Sequence, residues 1–203
     1  VAAGMVPLAI GTQTNGSIIR PASFCGVYGA KPSKGLVSRT GILPMSKTVD
    51  VAGPFARSLS DLALLLGVIA GYDAGDSDTR PFAVPDFRAF AEEDFPIEPR
   101  FGFVRTPVWD KAEPDAQRAF EQLADMLGDN CIRIDLPPEY ADAWDIHRTI
   151  MIAEMAHNLG EIVDRGGVGV SEVLRKLVGE GRQVSAVAYQ RALDEARQLT
   201  DSL

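Results

Sequence analysis

The sequence predicts an α/β fold in which a mixed β-sheet is covered by helices. Three observations predict it: short β-branched segments separated by turn residues fill residues 1–57, helical periodicity dominates residues 58–203, and a strand–helix–strand pattern lies within the second region. A chain of 203 residues with 46% hydrophobic side chains can bury a substantial core. We therefore expect a single α/β domain fragment over residues 1–203.

The first region is rich in Gly, Ser, Thr and β-branched residues, and its apolar runs stop at turn signals. This composition is typical of strands joined by loops. A short helix is expected just after Ser17, with Pro21 as its first residue. The expected strands are Val6–Gly11, Val27–Lys31, Leu36–Arg39 and Asp50–Phe55.

A longer helix is predicted to begin after Ser58. Ser58 and Asp61 have the spacing of an acidic capping box, apolar residues then recur at helical intervals, and Gly71 ends the pattern. The following stretch, "DAGDSDTRPFAVPDF", is acidic and rich in proline. We expect it to be an exposed loop.

The second region also contains a predicted βαβ unit. A strand is expected in "RFGFVRTPVW", a helix over Pro114–Leu127 and a second strand over Cys131–Leu136. Three further helical patterns follow from Glu139 to the end of the chain.

Charge and composition exclude several classes of function. A net charge of −8, with the basic residues scattered among acids, argues against a nucleic-acid partner. The longest strongly apolar run, Leu62–Gly71, is half the length that a bilayer requires, so no membrane segment is expected. The only two cysteines, Cys25 and Cys131, are expected to be buried, reduced structural thiols, which favours a cytoplasmic location. No cofactor is implied.

Both ends of the sequence resemble interrupted helices. The opening "VAAG" is typical of a last helical turn with Gly4 as its C-cap, and "ALDEARQLTDSL" ends inside a helical pattern. The expectation is that the chain is a piece of a longer protein.

The segment "GTQTNGSIIRP", Gly11–Pro21, allows three interpretations. Asn15-Gly16 could form a hairpin turn, but Arg20-Pro21 interrupts any strand that would follow. The G-x4-G spacing resembles a phosphate-binding loop, but Ser17 stands where such a loop needs lysine. Thirdly, a strand end could present Ser17 as a nucleophile beside free backbone N–H groups and the start of a helix.

A family resemblance favours the nucleophile. Gly11–Pro32, "GTQTNGSIIRPASFCGVYGAKP", resembles the signature segment of the amidase signature family, and so do "GILP", "GPFARS" and "GYDAGDS" further along. The likeness continues through about residue 80 and is fainter afterwards, where "HRTIMIAEMAHNLG" still looks like these amidases. The resemblance implies the family's α/β/α fold, of which the N-terminal half would be absent.

The resemblance also implies roles for particular residues. Ser17 matches the acylated nucleophile, and Thr14, Asn15 and Gly16 match the backbone that forms the oxyanion hole. Gln13 stands where many members have Asp, and Asn15 where many have Gly. Gln13 and Arg20 are expected to support the loop, Arg20 by an ion pair with Asp50 or Asp61 in preference to binding a substrate carboxylate.

The implied chemistry is hydrolysis of a carboxylic amide through an acyl-enzyme, using a Ser-Ser-Lys triad. The second serine and the lysine lie upstream of the nucleophile in this family, and only 16 residues precede Ser17. We therefore expect the 203-residue chain alone to be inactive. An amidotransferase component and a non-catalytic anion-binding module remain alternatives. The expected partner is a small-molecule amide, and a homodimer is compatible with the sequence.

Two other groups suggest metal sites only weakly. Glu154 and His157 have the spacing of half a di-iron site, but the other half is missing, and His147 lies on a different helical face. Asp73, Asp76 and Asp78 lack the later glutamate of a calcium loop. No metal site is expected, and the aspartates are expected to be solvated.

Overall fold

The computed structural model describes residues 1–94, 97–166 and 169–202. These residues form two compact units. The first contains Val1–Glu93 with Thr149–Tyr189, and the second contains Asp94–Arg148 with Gln190–Leu203. The expectation of one domain fragment over the whole chain stays a prediction.

The described residues contain both strands and helices, as expected for an α/β fold. The strands are β1 Leu8–Gln13, β2 Tyr28–Gly29, β3 Val51–Ala56, β4 Phe101–Val104 and β5 Cys131–Ile134. The α-helices are α1 Ile19–Cys25, α2 Leu59–Ile69, α3 Phe87–Glu92, α4 Pro114–Leu127, α5 Ala143–Arg165, α6 Glu172–Gly181 and α7 Ala186–Asp201.

The sheet of the first unit is antiparallel, in the order β1-β3-β2. β1 pairs with β3 from Leu8 opposite Ala56 to Gln13 opposite Val51. The central strand β3 is almost wholly buried, because it has a partner on each side and α2 packs against it. A Cβ at Gly53 would collide with the carbonyl oxygen of Ala30, so only glycine fits at this position. The end of β1 at Gln13 thus pairs with a buried strand.

The helical core of the first unit lies between α5 and α6. Met155, Leu159, Val163 and Val178 form a buried cluster, and partly buried side chains surround it. Ser58 caps α2 as predicted, because its side chain accepts a hydrogen bond from Asp61 N. Within the described residues, no helix combines the length and apolar character needed to cross a bilayer.

The second unit contains the predicted βαβ unit. β4 and β5 pair in parallel, and α4 connects them with the predicted bounds, Pro114–Leu127. Trp109 packs edge-on against Phe103, and the Arg133 guanidinium lies 5.2 Å from the centre of the Phe103 ring.

The α/β class is confirmed, and several details differ from expectation. The described strands form two separate sheets, one antiparallel and one parallel. The predicted strand Leu36–Arg39 is wrong: only Val37 makes an isolated bridge, to Ala70, because the side chains next to it bind the acidic loop. Cys25 is exposed rather than buried, since α1 buries only Ala22, and Cys131 is half-buried.

Candidate active site

The residues that follow β1 form a tight loop, residues 14–18, which we call the Ser17 loop. The strand ends at Gln13 and α1 begins at Ile19, two residues before the expected start at Pro21. Ile18 is completely buried and anchors the end of the loop. The hairpin interpretation is wrong, because the loop leads into a helix and not into a partner strand.

The Gln13 side chain closes the base of this loop. Its Oε1 accepts hydrogen bonds from Ile18 N at 2.8 Å and from Ile19 N at 3.0 Å. These two N–H groups lie at the start of α1, where a helix has no internal acceptors. The Gln13 side chain therefore satisfies the N–H groups of Ile18 and Ile19, and it does not engage those of Asn15, Gly16 and Ser17.

Ser17 lies at the exposed side of the loop. In the described part of the chain, its hydroxyl and the backbone N–H groups of Asn15, Gly16 and Ser17 have no hydrogen-bond partner. Gly16 has φ +83°, in the left-handed region that favours glycine, while every non-glycine residue described has negative φ. The backbone reversal thus falls on Gly16, and Asn15 needs no unusual conformation.

Arg20 contacts the loop through hydrogen bonds and forms no ion pair with any residue that the structure describes. Its guanidinium donates to the Asn15 carbonyl at 3.2 Å, and Arg20 N donates to the Gly16 carbonyl at 2.9 Å. The predicted ion pair of Arg20 with Asp50 or Asp61 is wrong. Asp50 instead binds Thr14, and Asp61 lies on the first turn of α2. The guanidinium binds the carbonyl of Asn15, which is two residues before Ser17. Arg20 therefore braces the loop from its exposed side.

Thr14 connects the loop to a second turn, residues 45–50, which we call the Asp50 turn. Thr14 Oγ1 donates to Asp50 Oδ1 at 2.5 Å. The other carboxylate oxygen of Asp50 accepts from Met45 N and Ser46 N, both at 2.8 Å. Thr14 and Asp50 line a cavity of about 260 Å³, together with Thr12.

Glu154 on α5 holds the Asp50 turn from the other side. Its carboxylate accepts from the Ser46 hydroxyl, from the backbone and hydroxyl of Thr48, and from Tyr189 at 2.6 Å. Burial acts to raise the pKa of Glu154, but these hydrogen bonds together outweigh it and hold the pKa below its ordinary value. Sequence reasoning missed this role because Glu154 and the turn are more than 100 residues apart.

The sequence pattern suggests Glu154 only as a metal ligand beside His157. His157 is exposed, and Glu154 is occupied by its hydroxyl and amide donors. Residues 1–94, 97–166 and 169–202 contain no cluster of three or more acidic, histidine or cysteine side chains that could hold a metal ion.

The aspartates of residues 73–79, the acidic loop, are not a solvated cluster as expected. Asp76 is 8% exposed and forms a two-point ion pair with Arg39, at 3.0 and 3.1 Å. The hydrogen bond from Arg39 holds the pKa of Asp76 far below its ordinary value, against the opposing effect of burial. Asp78 binds Arg39 and Lys34. The loop is a structural clamp, which no local pattern indicated because Arg39 is 37 residues away.

The lysines nearest Ser17 in the sequence serve elsewhere. Lys34 pairs with Asp78 at 3.3 Å, and Lys31 is exposed and donates to the Pro32 carbonyl at 3.2 Å. Neither is hydrogen-bonded to the serine.

The chain resembles curated proteins over most of its length. It is 40% identical over 164 residues to a glutamyl-tRNA(Gln) amidotransferase subunit from Legionella pneumophila (strain Corby), a match that covers 78% of this chain and 33% of that protein. The chain thus spans about a third of the length of this curated relative.

Solved structures match the chain in shape over nearly its whole length. One, from a vestigial protein complex that reveals the evolutionary origins of an s-triazine catabolic enzyme, has a TM-score of 0.88 at 28% identity and covers 99% of this chain and 43% of that one. The peptide amidase of Stenotrophomonas maltophilia has a TM-score of 0.76 at 31% identity, covering 98% of this chain and 46% of that one. The family model described as Amidase matches residues 1–198. The chain therefore belongs to the amidase signature family.

Proposed function

We propose that this chain carries the nucleophile of an amide hydrolase, with Ser17 as the residue that is acylated. One observation carries the proposal: an exposed hydroxyl lies beside three backbone N–H groups that have no acceptor among the described residues. Exposed loops commonly leave such donors to water, so the distinguishing feature here is that Gln13 and Arg20 brace the loop that carries them. Donors held ready in this way suit an oxygen that becomes negatively charged during a reaction.

The reaction is acyl transfer. Ser17 Oγ attacks the carbonyl carbon of an amide, and its proton passes to a base. The N–H groups of the Ser17 loop stabilise the tetrahedral oxyanion, where one such donor contributes about 2.7–4 kcal/mol in other serine hydrolases. The C–N bond then breaks and the amine or ammonia leaves with a proton. Water attacks the ester and releases the carboxylic acid and the free serine.

The base belongs to the longer protein in this proposal. The resemblance implies a second serine and a lysine upstream of the nucleophile, and the lysine must be neutral to accept the proton. The small-molecule amide substrate, the cytoplasmic location and the absence of nucleic-acid and membrane partners also stay proposals.

Covalent labelling tests the proposal. In the longer protein that the family relationship implies, a fluorophosphonate probe is expected to label Ser17, and Ser17→Ala is expected to abolish both labelling and amide hydrolysis, a loss of about 10³-fold or more. Ser23→Ala is the matched control, because Ser23 is also exposed, lies on α1 and has no side-chain hydrogen bond among the described residues. Unlabelled Ser17 with a sulfate bound to the loop would instead support the anion-binding module.

A second candidate is a component of an amidotransferase, which would pass the released ammonia to another acceptor. The 40% identity to a glutamyl-tRNA(Gln) amidotransferase chain supports it. The two functions share the acyl-enzyme and differ in the fate of ammonia. Free ammonia from the purified protein alone favours the hydrolase, whereas ammonia release that requires a partner protein and an acceptor favours the amidotransferase.

A further inference from the structure

One side chain outside the Ser17 loop binds directly to it. The hydrogen bond from Thr14 Oγ1 to Asp50 Oδ1 joins two segments that are 36 residues apart. Thr14 directly precedes Asn15, the first of the three residues with free N–H groups. The hydrogen bond to Asp50 therefore holds the residue from which the three N–H groups follow along the chain.

Asp50 is itself held firmly. The residue is only 9% exposed, and its second carboxylate oxygen accepts from Met45 N and Ser46 N. Asp50 N donates back to the Ser46 carbonyl at 2.9 Å. Arg39 donates to the Asp50 carbonyl, and Glu154 binds the Ser46 hydroxyl. The acceptor offered to Thr14 is thus part of a rigid turn.

We infer that Asp50 is a positioning residue for catalysis, which acts through the Thr14 hydroxyl to aim the N–H groups of Asn15, Gly16 and Ser17. Donors that stabilise a transition state must hold their geometry to within about half an ångström. Gln13 fixes the far end of the loop at Ile18 and Ile19, and Thr14 fixes the near end. The inference rests on the proposed function, because it assigns a purpose to those donors.

Removal of the Thr14 hydroxyl tests the inference in the longer protein. Thr14→Val keeps the size of the side chain and loses its donor. We expect kcat and the rate of fluorophosphonate labelling at Ser17 to fall at least about tenfold, while KM stays within about threefold, because the N–H groups act on the transition state. Thr14→Ser, which restores the donor, is expected to recover both rates to within about threefold of wild type.

Thr106→Val is the matched control. Thr106 lies after β4 in the second unit, is exposed and has no side-chain hydrogen bond in the described part of the chain. This variant replaces the same hydroxyl group with a methyl group, at a residue that does not bind Asp50. We expect wild-type rates for this variant.

The outcomes separate the two proposals. If wild-type Ser17 takes no label, the proposed function is overturned and the inference with it. If wild type is labelled and Thr14→Val reacts as fast as Thr106→Val, only the inference is overturned. If Thr14→Val loses cooperative unfolding, Thr14→Ala decides, because water can then hydrate the Asp50 carboxylate: slow labelling supports the inference and wild-type labelling overturns it.

Discussion

The Ser17 loop and the acidic loop have similar compositions and opposite hydrogen-bonding states. Both are short bends rich in Gly, Ser or Thr, and Asn or Asp. In the acidic loop, the Thr79 hydroxyl donates within the loop, Asp73 accepts from Gly75 N, and Asp76 binds Arg39. In the Ser17 loop, three consecutive N–H groups have no partner among the described residues.

This difference shows that polar composition does not distinguish a bend that satisfies its own hydrogen bonds from a bend that leaves donors open. A bend that satisfies its own donors and acceptors contributes to stability. A bend whose donors are held in place but left open can hydrogen-bond to a ligand or to a transition state and stabilise it. Substitutions in the acidic loop are thus expected to change the free energy of unfolding, and substitutions in the Ser17 loop to change catalytic rate.

The largest effect on stability is expected in the acidic loop. Asp76→Asn leaves the largely buried Arg39 without its main partner and is expected to lower the free energy of unfolding by about 3 kcal/mol. Urea unfolding measures this change. Asp129→Asn is the control, since Asp129 is exposed and has no described hydrogen bond or ion pair. Equal losses in the two variants would show that the buried pair does not stabilise the fold.

An intermediate effect is expected on rate, in the Ser17 loop. Gln13→Ala removes the acceptor for Ile18 N and Ile19 N, which loosens the loop, and is expected to lower kcat/KM about tenfold in the longer protein. Gln13→Glu keeps an acceptor oxygen and is expected to lose much less. Steady-state kinetics on an amide substrate measures both. Wild-type kcat/KM in Gln13→Ala would contradict the bracing role of Gln13.

The smallest expected effect is the pH dependence due to Glu154. Because its folded-state pKa lies below the ordinary 4.5, the carboxylate contributes stability that is present above about pH 4.5 and lost as the pH falls through the folded-state pKa. The contribution is expected to be less than about 1 kcal/mol, since Glu154 is only partly buried. Urea unfolding from about pH 7 to about pH 3 is expected to show a weaker decline in Glu154→Gln.

Tyr189→Phe sharpens this measurement. The variant removes one donor to Glu154 and keeps the others, so its pH dependence is expected to lie between those of wild type and Glu154→Gln. A decline in Glu154→Gln as steep as that of wild type would show that other carboxylates account for the acid sensitivity.

The local elements were predictable from the sequence. The cap at Ser58, the bounds of α4 and the strand–loop–helix around Ser17 follow from capping, periodicity and turn residues within one short window. The family signature pointed to the serine because many ordered residues match over a continuous stretch.

Contacts between distant segments were not predictable. Asp76 binds Arg39 37 residues away, Thr14 binds Asp50 36 residues away, and Glu154 binds Ser46 108 residues away. Each of these pairs consists of ordinary polar residues whose local sequence is also compatible with solvent exposure. The exposure of Cys25 likewise depends on which face of α1 packs against the sheet.

The contacts of Glu154 have a consequence for biosynthesis. A nascent chain that has left the ribosome as far as Ile69 already contains the serine, its glutamine brace and the Asp50 turn, yet the helix that secures this turn has not been translated. Closing so large a loop requires contacts of long sequence separation, which form slowly. The Asp50 turn therefore gains this support only after α5 has been synthesised, and the Ser17 loop, which binds the turn through Thr14, reaches its final geometry no earlier.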